Sequence, residues 1–502
     1  MSRRLAGSWA DRAALLSRLE KRGPLPAPLA RALREQHVRL GASPASMAGL
    51  ERLARGEATC AIAGQQPGLL GGPLYGLHKA AAAVGLARRV AERTGTPCVP
   101  VYWNHVEDSD FDEIRGATVS DSDLVLHDLS LPAEAHVDSG LVGAIALDPL
   151  KPLVEQALTR WTGLPGRDQT ALLLQETLAR GRDLGEAHTA LLLQLFGECG
   201  LVVVDPRIPE FRAAARPLID RYLDHHEAIA GAVRSAGAEL EKEIGRRPLN
   251  DAALDSFVFA IEEGRRRKVS PQEARSLPAS VSLSPSVALR PVIQDGVLPT
   301  AAMACGPGEL AYLTQIQGVF DGLGVLAAIP VPRFGATWLP PAAIDLLATT
   351  GADPWLVVAA TDQVLRQHAV KRVPEQLTRS LHELRSDVEQ RLGAFANEAR
   401  ALDPSFPQMV ESARSKVDYQ IARLQEGLIG KARHRLEREH PAWLRLRYYL
   451  LPGDKLQERR LASLEPIARR GPRVALEICD LAEQHAESLE HGEWWHALLE
   501  LE

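Results

Sequence analysis

The residues with the clearest chemical potential follow a short apolar run, Cys98 to Trp103, in the stretch PCVPVYWNHVEDSDFDEI. They are Asn104, His105, Glu107, Asp108, Asp110, Asp112 and Glu113, which include five carboxylates within seven positions. Because like charges repel, such a cluster is costly unless a cation, a metal ion or a substrate ammonium offsets it. The alternative is a solvated acidic loop that caps the next helix. A lone histidine such as His105 is more often a hydrogen-bonded structural residue than a ligand.

A second polar stretch, GQQPGLLGGPLYGLHK from Gly64 to Lys79, joins a predicted strand to a predicted helix. Its glycines are Gly64, Gly68, Gly71 and Gly72, and its polar side chains are Gln65, Gln66, Tyr75, His78 and Lys79. Glycine lets the backbone approach a ligand closely and a helix start attracts anions, so the stretch could hold an anionic group. It has neither GxGxxG spacing nor a GK[ST] ending, so it indicates neither an ordinary dinucleotide loop nor a P-loop. A Gly-rich turn without a ligand is the alternative.

The third informative stretch spans residues 281–316, VSLSPSVALRPVIQDGVLPTAAMACGPGELAYLTQI. Arg290 lies inside an apolar, proline-flanked run, so its guanidinium requires a carboxylate or an anionic ligand. Further along, Gly306 begins a glycine turn between a strand-like run and a helix-like run. Glu309 falls in the first helical turn, where a carboxylate is favourable simply as a helix-dipole partner. Ser284, Gln294 and Asp295 are neighbouring polar candidates.

A predicted parallel sheet positions these three stretches. Buried strands are indicated at Cys60 to Ala63, Cys98 to Trp103, Leu201 to Val204, AAMAC, and VLAAIPVPRF, which ends at Arg333. Helical patterns connect the strands, so we expect an α/β fold. The carboxyl ends of parallel strands share one edge of the sheet, and ligands bind at that edge.

Two insertions interrupt the strand and helix pattern, at about residues 118–148 and 240–280. The first alternates as short antiparallel strands, DLVLHDL and LVGAIAL. The second contains SFVFAIEEGRRRKVS, which predicts a strand and hairpin with a basic tip at Arg265 to Lys268. Such a tip is usually a solvated turn, although it could hold a phosphate or a carboxylate.

Three regions are predicted: a core over residues 1–373, an antiparallel coiled-coil hairpin over 374–440, and a helical segment over 441–502 that returns to the core. The hairpin seam is predicted at Leu377, Leu381, Leu384, Val388, Leu392, Phe395, Ala399, Leu402, Val410, Val417, Ile421, Leu424 and Leu428. Each arm of roughly 26 residues extends about 39 Å at 1.5 Å per residue. A pair this long indicates a partner surface or a dimer mate, although a hairpin that projects freely on its own seam is the alternative.

Composition narrows the classes of function. The chain has 502 residues and a formal net charge of -6, so no basic excess indicates a nucleic-acid partner. No signal-like start and no run of about 18 uncharged apolar residues is present, which favours a cytoplasmic protein without a membrane partner. The five cysteines have no CxxC or Cys/His ligand spacing, so neither a disulfide framework nor a structural zinc site is indicated.

Together the blocks resemble a known family. GQQPGLLGGPLYGLHKA, PVYWNHVEDSDFDEI, the stretch from Leu283 to Ile316, the long coiled coil and LPGDKLQER occur in the order and spacing of the bacillithiol biosynthesis cysteine-adding enzymes, the BshC family. The resemblance implies a Rossmann-like core with connecting insertions, and a coiled-coil arm that pairs two subunits as a homodimer. It also implies a reaction that joins cysteine to glucosaminyl-malate. Where the family acidic block usually reads Glu-Asp-His-Asp, this chain has Ser109, so the role of that histidine does not carry over and a substitute role for His105 is open.

Amide formation from a free acid and an amine is uphill in water, so the hypothesis requires an activated cysteine carboxyl, and therefore ATP with or without Mg²⁺. The residues assigned to catalysis are His78, Lys79, His105, Asp108 and Asp110. Those assigned to substrate binding are Gly64, Gln65, Gln66, Gly71, Gly72, Tyr75, Asn104, Glu107, Arg290, Gln294, Gly306 and Glu309. In this hypothesis His78 and Lys79 stabilise a phosphate, the carboxylates bind the amine, and Arg290 pairs with malate.

Two other functions are compatible with the same stretches. One is a nucleotidyl or sugar transferase that shares the core. The other is a non-catalytic coiled-coil scaffold whose core holds a nucleotide or a sugar acid as a regulatory ligand. Substrate-dependent ATP hydrolysis separates the three, because only a ligase requires both cysteine and the amine.

Overall fold

The structure is a computed structural model that describes residues 7–20, 23–136, 138–278 and 280–501. Its strands are β1 Thr59–Gln65, β2 Cys98–Asn104, β3 Gly116–Ser120, β4 Leu126–Ser130, β5 Val202–Val204, β6 Val258–Glu262, β7 Arg265–Lys268, β8 Ser282–Pro285, β9 Thr300–Cys305, β10 Ile329–Pro332, β11 Ala336–Leu339 and β12 Ala497–Glu500.

The helices form before, between and after these strands. They are α1 Arg12–Glu20, α2 Ala27–Leu40, α3 Pro44–Arg55, α4 Leu74–Thr94, α5 Phe111–Ile114, α6 Lys151–Arg160, α7 Arg167–Arg180, α8 Leu184–Phe196, α9 Pro209–Ile244, α10 Asp251–Leu254, α11 Pro271–Ser276, α12 Arg290–Val297, α13 Pro307–Gln315, α14 Gln317–Leu323, α15 Pro341–Thr350, α16 Pro354–Arg372, α17 Glu375–Ala399, α18 Phe406–Glu439, α19 Trp443–Leu450, α20 Glu465–Arg470 and α21 Val474–Glu490.

The core sheet has five parallel strands in the order β10-β9-β1-β2-β5. The five apolar runs predicted as buried strands all form it, so the α/β prediction is confirmed. In the β1–β2 register Gly64 lies opposite Trp103 and Gln65 opposite Asn104. Both strands therefore end at the same edge, and the glycine stretch and the acidic stretch leave the sheet side by side.

Helix α4 is the crossover from β1 to β2. It ends before Gly95 as the sequence predicts, but it begins earlier than the predicted run, at Leu74 inside the glycine stretch. It is sandwiched between the sheet and α21. A Cβ added at Gly85 would lie 2.5 Å from the backbone carbon of Ala482 in α21, so only glycine permits this approach. The alanines from Ala80 to Ala83 are all buried, because the helix has the sheet on one side and α21 on the other.

The glycine stretch forms a compact turn that another part of the chain covers. Gly71 and Gly72 have φ values of 83° and 72°, which disfavour any residue with a side chain. The amide of Leu74, the first residue of α4, donates to the carbonyl of Leu461 at 2.7 Å. The amide of Ser463 donates to the Gly72 carbonyl at 2.8 Å. The first amide of the helix is therefore occupied by backbone.

The two insertions match their predictions only in part. β4 forms within DLVLHDL as predicted, but its antiparallel partner is β3, and LVGAIAL is not a strand: Val142–Ala144 is a short 3₁₀ turn. Its amides bond to neighbouring loops, with Val142 donating to Asp108 and Gly143 to Val106, so no partner strand is available.

The basic residues of the second insertion form strand β7, paired with β6, and not the tip of the hairpin. The turn is Glu263-Gly264, whose φ values of 50° and 77° suit a tight two-residue connection. β8 pairs with the other edge of β6, which makes a three-stranded antiparallel sheet.

The chain divides into two compact units. The first runs to Ser122, from Leu126 to Trp338, and from Leu456 onward, and the second comprises Asp123–Val125 and Leu339–Lys455. The sequence analysis placed the end of the core at residue 373, whereas the compact units divide at Trp338. The reason is that α15, α16 and α19 pack with one another, and α16 also packs with α18 of the hairpin.

The second unit contains the predicted antiparallel hairpin, α17 and α18. Ion pairs join its two arms, Arg385 to Asp418 at 3.0 Å and Arg414 to Glu389 at 3.2 Å. Val410 and Ile421 of the predicted seam are buried. Within the described residues no single helix is long and apolar enough to cross a membrane, and one bent pair, α15 with α16, meets that test only when joined across an 81° bend.

His37 ties α2 to the core sheet and predicts acid sensitivity. Its Nδ1–H donates to the Leu33 carbonyl at 2.8 Å, and its Nε2 accepts from the Val203 amide at 3.1 Å, so the ring is neutral. Burial lowers its pKa to about 4, against the opposing effect of the Leu33 hydrogen bond. Since the unfolded histidine titrates near 6.5, lowering the pH from about 6.5 to about 4 should reduce the free energy of unfolding by on the order of 3 kcal/mol through this group alone.

Urea unfolding at a series of pH values measures this dependence. A His37→Leu variant should be less stable at pH 7, since the Val203 amide loses its acceptor, but its stability should fall less steeply with acid than that of the native protein. Equal slopes in the two proteins would contradict the assignment.

Candidate functional site

The predicted polar residues meet around a cavity of about 300 Å³ at the carboxyl end of β2. The amide of His105 donates to the Gln65 carbonyl at 3.0 Å, which extends the β1–β2 pairing by one residue and fixes where the acidic stretch begins. Lining residues include His105, Glu107, Asp108, Phe259, Arg266, Lys268, Ser284, Ser286, Arg290 and Tyr312. Carboxylates from the β2 end thus face cations from β7 and α12.

Glu107 is the carboxylate held most firmly. Arg212 of α9 pairs with it at 2.6 Å, and the Ser284 hydroxyl donates to it at 2.8 Å. Its side chain is 9% exposed. The charge of Glu107 is therefore balanced by the protein, and two separate segments, α9 and β8, fix its position.

Asp108 is the more available carboxylate. One oxygen accepts from Gln66 Nε2 at 2.9 Å, and the other accepts from the Ser109 amide at 2.7 Å and lies 3.7 Å from Arg266. A third of its side chain is exposed. Asp110, by contrast, is a helix cap: it accepts from the Glu113 amide at 3.2 Å at the start of α5 and lies in solvent.

Two guanidinium groups line the opposite wall without a full set of anionic partners. Arg290 donates to Gln294 Oε1 and to the Tyr312 hydroxyl, both at 3.0 Å, and forms no ion pair with any described residue. It is 7% exposed. Arg266 stacks on Phe259 at 3.9 Å, donates to the Pro285 carbonyl at 2.8 Å, and its Nε has no partner among the described residues. Burial lowers the pKa of Arg266.

His105 presents a free ring nitrogen near these cations. Its Nε2 is buried and has no hydrogen-bond partner in the described part of the chain. Burial, together with the charges of Arg290, Lys79 and Arg266, holds the pKa of His105 well below its usual range. The imidazole is neutral at pH 7 and can accept a proton or a hydrogen bond.

Lys79 lies at the junction of the three predicted stretches, and its charge is neutralised there. Its ammonium donates to the Gly64 carbonyl at 2.8 Å, to Gln65 Oε1 at 3.2 Å and to Glu309 at 2.7 Å. Glu309 also accepts from the Gly306 amide at 2.9 Å, as helix capping predicts. Although burial opposes it, the Lys79 charge lowers the pKa of Glu309.

His78 is not among the residues that line the cavity. It is fully buried, and its Nδ1 lies 3.1 Å from Glu458, which also pairs with Arg333. Burial lowers the pKa of His78, so the ring is neutral. These contacts make His78 a support for the segment that covers the glycine turn, and the phosphate role predicted from the sequence stays a prediction.

The remaining predicted residues form supporting contacts. Asn104 Nδ2 donates to the Gly185 carbonyl at 2.9 Å and to Thr189 at 3.1 Å, which ties β2 to α8. Gln65 donates to the Tyr75 hydroxyl at 3.0 Å, and Gln66 donates to Glu113 at 2.6 Å. Burial raises the pKa of Tyr75 to about 12. Gly71, Gly72 and Gly306 shape turns, and Gln294 orients Arg290.

Several residues that complete the site carry only weak signals in the sequence. Arg266 belongs to the basic run, for which anion binding was one of two alternatives, and its position on the cavity favours that alternative. Its neighbour Arg267 pairs instead with Glu262 and Glu273 on the surface. Arg212 and Tyr312 lie inside helical patterns that mark no chemistry. Only their contacts across the fold identify them.

Two family models together match nearly the whole chain. "Bacillithiol biosynthesis BshC, N-terminal Rossmann-like domain" covers residues 4–334, and "Bacillithiol biosynthesis BshC, C-terminal coiled-coil domain" covers residues 336–491. The chain belongs to the BshC family. The predicted Rossmann-like core with a coiled-coil region and the resemblance are both confirmed.

Curated relatives carry one shared name. "Putative cysteine ligase BshC" of Koribacter versatilis is 31% identical over 474 residues, 90% of this chain and 87% of its own. The relative of that name from Solibacter usitatus is 30% identical over 86% of this chain and 84% of its own. The one from Salinibacter ruber is 28% identical over 93% of this chain and 89% of its own. A crystal structure of a "putative arginyl tRNA synthetase" from Campylobacter jejuni, 9% identical, aligns over 84% of this chain and 92% of its own with a TM-score of 0.23, which is too low to carry an argument.

Within this BshC-family chain, Gly64 decides where His105 lies. A Cβ at Gly64 would lie 2.6 Å from the Trp103 carbonyl and 2.8 Å from His105 Nε2. We therefore expect Gly64→Ala to displace the imidazole and to lower the free energy of unfolding by about 1–3 kcal/mol. Thermal unfolding and the histidine ring signals in NMR measure the two effects.

Gly308→Ala is the matched control, because Gly308 lies in α13 with open space around it. It should leave both measurements nearly unchanged. A Gly64→Ala protein with native stability and an unmoved His105 signal would show that the close approach is not required.

Proposed function

We propose that the protein is a cysteine ligase that joins the carboxyl group of L-cysteine to the amine of glucosaminyl-malate, in the last step of bacillithiol biosynthesis. Family membership and the shared name of the relatives support a ligase that uses cysteine. The observation that supports glucosaminyl-malate as the acceptor is the environment of Arg290. This buried guanidinium lies on the cavity wall without a carboxylate partner among the described residues. A buried cation of this kind favours an anionic ligand.

The malate carboxylates suit the cationic wall. Arg290 can donate two parallel hydrogen bonds to one carboxylate, and Arg266, whose Nε is free, can donate to the second. Lys268 also lines the cavity. A dicarboxylate would offset charges that the protein itself leaves unbalanced.

The acceptor amine suits the opposite wall. Asp108 can hold its ammonium form, because this carboxylate is partly exposed and its Arg266 contact is long, at 3.7 Å. His105 Nε2 is free to take the proton that the amine must lose before it attacks. Malate carboxylates beside Arg290 and Arg266 would weaken the charges that lower the pKa of His105, so acceptor binding would make the imidazole a stronger base.

ATP is the proposed co-substrate, because the cysteine carboxyl must be activated. The glycine stretch does not fit the expected phosphate cradle, since the Leu74 amide bonds to Leu461 and Lys79 is neutralised by Glu309. We therefore assign no residue to ATP. Among described residues, no group of three or more His, Cys, Asp or Glu is arranged for a metal ion, so Mg²⁺ would enter with the nucleotide phosphates.

The test is an assay of amide product with cysteine, glucosaminyl-malate and ATP, each omitted in turn. Arg290→Lys keeps the charge but loses the forked geometry, so we expect KM for glucosaminyl-malate to rise about 10- to 100-fold with little change in KM for cysteine. Circular dichroism confirms that the variant is folded.

Arg267→Lys is the matched control, because Arg267 lies in the same basic run but pairs with Glu262 and Glu273 in solvent. Its KM values should equal those of the native protein. Native kinetics in Arg290→Lys would reject the malate assignment. ATP turnover without cysteine or without the amine would instead favour a transferase, and an absence of turnover with all three would favour a scaffold.

We further propose that two copies pair through the second unit. Helix α17 has no buried residue, and large apolar side chains of the two arms and the turn between them are about half exposed or more: Leu377, Leu384, Phe395, Leu402, Met409, Tyr419 and Leu424. A solvated hairpin needs no such surface, whereas a second copy would cover it.

Leu384→Glu and Leu424→Glu together should therefore convert a dimer to a monomer, as measured by light scattering after size-exclusion chromatography. Glu383→Gln with Glu398→Gln tests nonspecific effects of changing charge on α17 and should leave the mass unchanged. A native protein that is monomeric at micromolar concentration would refute the proposal.

A further inference from the structure

A second cavity lies where two sequence blocks meet to which the proposed ligase chemistry assigns no ligand. One block is the turn of the glycine stretch, and the other is the end of LPGDKLQER with the residues that follow it. The cavity has a volume of about 320 Å³. Its charged lining residues are Asp112, Glu113, Asp128, Arg459 and Arg460.

One wall of this second cavity is a covering segment, residues 457–463, that is fixed on both sides. The amide of Ser463 donates to the Gly72 carbonyl at 2.8 Å, and the amide of Ala462 donates to the Thr118 carbonyl in β3 at 2.9 Å. The segment therefore lies between the turn of the glycine stretch and β3. A cavity whose walls are tied together in this way is formed before a ligand arrives, which lowers the cost of binding.

Three of the five charged groups in the lining are offset by neighbouring charges. Arg460 lies 3.4 Å from Asp128, and Asp112 lies 3.3 Å from Arg115. The Thr118 hydroxyl also donates to Asp128. A charged ligand would gain little from these groups, because each already has a partner.

The other two charged groups, Glu113 and Arg459, form no ion pair with any residue that the structure describes. Glu113 accepts a hydrogen bond from the neutral amide of Gln66 at 2.6 Å. Arg459 is exposed on the cavity wall. The second cavity therefore offers one free negative group and one free positive group, and a ligand that carries both signs of charge would match them.

We propose that the second cavity binds a free α-amino acid as its zwitterion, with the ammonium group at Glu113 and the carboxylate at Arg459. A guanidinium donates two parallel hydrogen bonds to a carboxylate, and a carboxylate accepts from an ammonium group. The identity of the amino acid rests on the proposed ligase function, which makes it L-cysteine. No other group in the proposed mechanism holds this substrate.

Gln66 places the second cavity beside the cavity at the carboxyl end of β2. Its Nε2 donates to Glu113 at 2.6 Å and to Asp108 at 2.9 Å. Asp108 lines the cavity at β2, where it is proposed to hold the acceptor amine. An amino acid at Glu113 would therefore lie across a single side-chain amide from the amine that its carboxyl group must meet.

Calorimetric titration of the full chain, in a buffer with a reductant that is not a thiol, tests the proposal directly. L-Cysteine is compared with cysteamine, which lacks the carboxylate, and with 3-mercaptopropionate, which lacks the ammonium group. We expect saturable binding of L-cysteine and about tenfold weaker binding, or less, of each analogue. No saturable binding at millimolar L-cysteine would overturn the proposal. Equal binding of 3-mercaptopropionate would also overturn it, because the cavity would then be an anion site.

Variants test the two assigned contacts. Arg459→Gln and Glu113→Gln each remove one charge, and the new amide at position 113 still accepts from Gln66. Each should weaken L-cysteine binding about tenfold or more. Arg460→Gln is the matched control, since this neighbouring guanidinium already pairs with Asp128, and its affinity should stay within about twofold of native. Native affinity in a folded Arg459→Gln protein, or an equal loss in Arg460→Gln, would reject the assignment to Arg459.

The amide assay separates this proposal from the ligase proposal. If the native protein forms product but Arg459→Gln has a native KM for cysteine, the amino-acid site is rejected and the ligase function stands. If L-cysteine binds with the expected preference but the native protein forms no product, the amino-acid site stands and the ligase function is rejected.

Discussion

The buried ammonium of Lys79 joins the parts of the chain on which the candidate site depends. It lies near the start of α4 and contacts the carbonyl that ends β1, the side chain of Gln65, and the carboxylate of Glu309 in α13. A charge buried at this depth is tolerated only when hydrogen bonds and an opposite charge surround it. The ends of β1 and β9 are therefore held together at one edge of the sheet, where β2 delivers His105.

The same electrostatic rule explains how protein groups offset the charge of a dense acidic stretch. Arg212 pairs with Glu107, Arg115 lies 3.3 Å from Asp112, and Gln66 donates to Asp108. Asp110 caps a helix in solvent. These partners relieve the repulsion among the carboxylates, with Gln66 serving both Asp108 and Glu113, and the cavity cation without a carboxylate partner among the described residues is Arg290.

The predictions from sequence were wrong where backbone groups of a segment bond to distant parts of the chain and not as the local pattern indicates. LVGAIAL alternates as a strand does, yet its amides bond to loops at Val106 and Asp108, so it turns. The basic run reads as an exposed tip, but Glu263 and Gly264 take the turn and place Arg266 on the cavity wall. The roles predicted for His78 and Lys79 stay predictions: neighbouring helix positions point in different directions, and in the structure one contacts Glu458 and the other Glu309.

The sequence by itself determined the parallel sheet, the crossover helix, the hairpin and the family, because continuous apolar runs, glycine boundaries and heptad spacing are local signals. It also marked Arg290, since an arginine in an apolar run must find an anion. Only the tertiary structure decided that Arg290 has no carboxylate partner among the described residues, that Arg266 lies beside it, and that the helix start at Leu74 is occupied. Those outcomes depend on which distant segments meet, and spacing along the chain carries no information about charge balance in space.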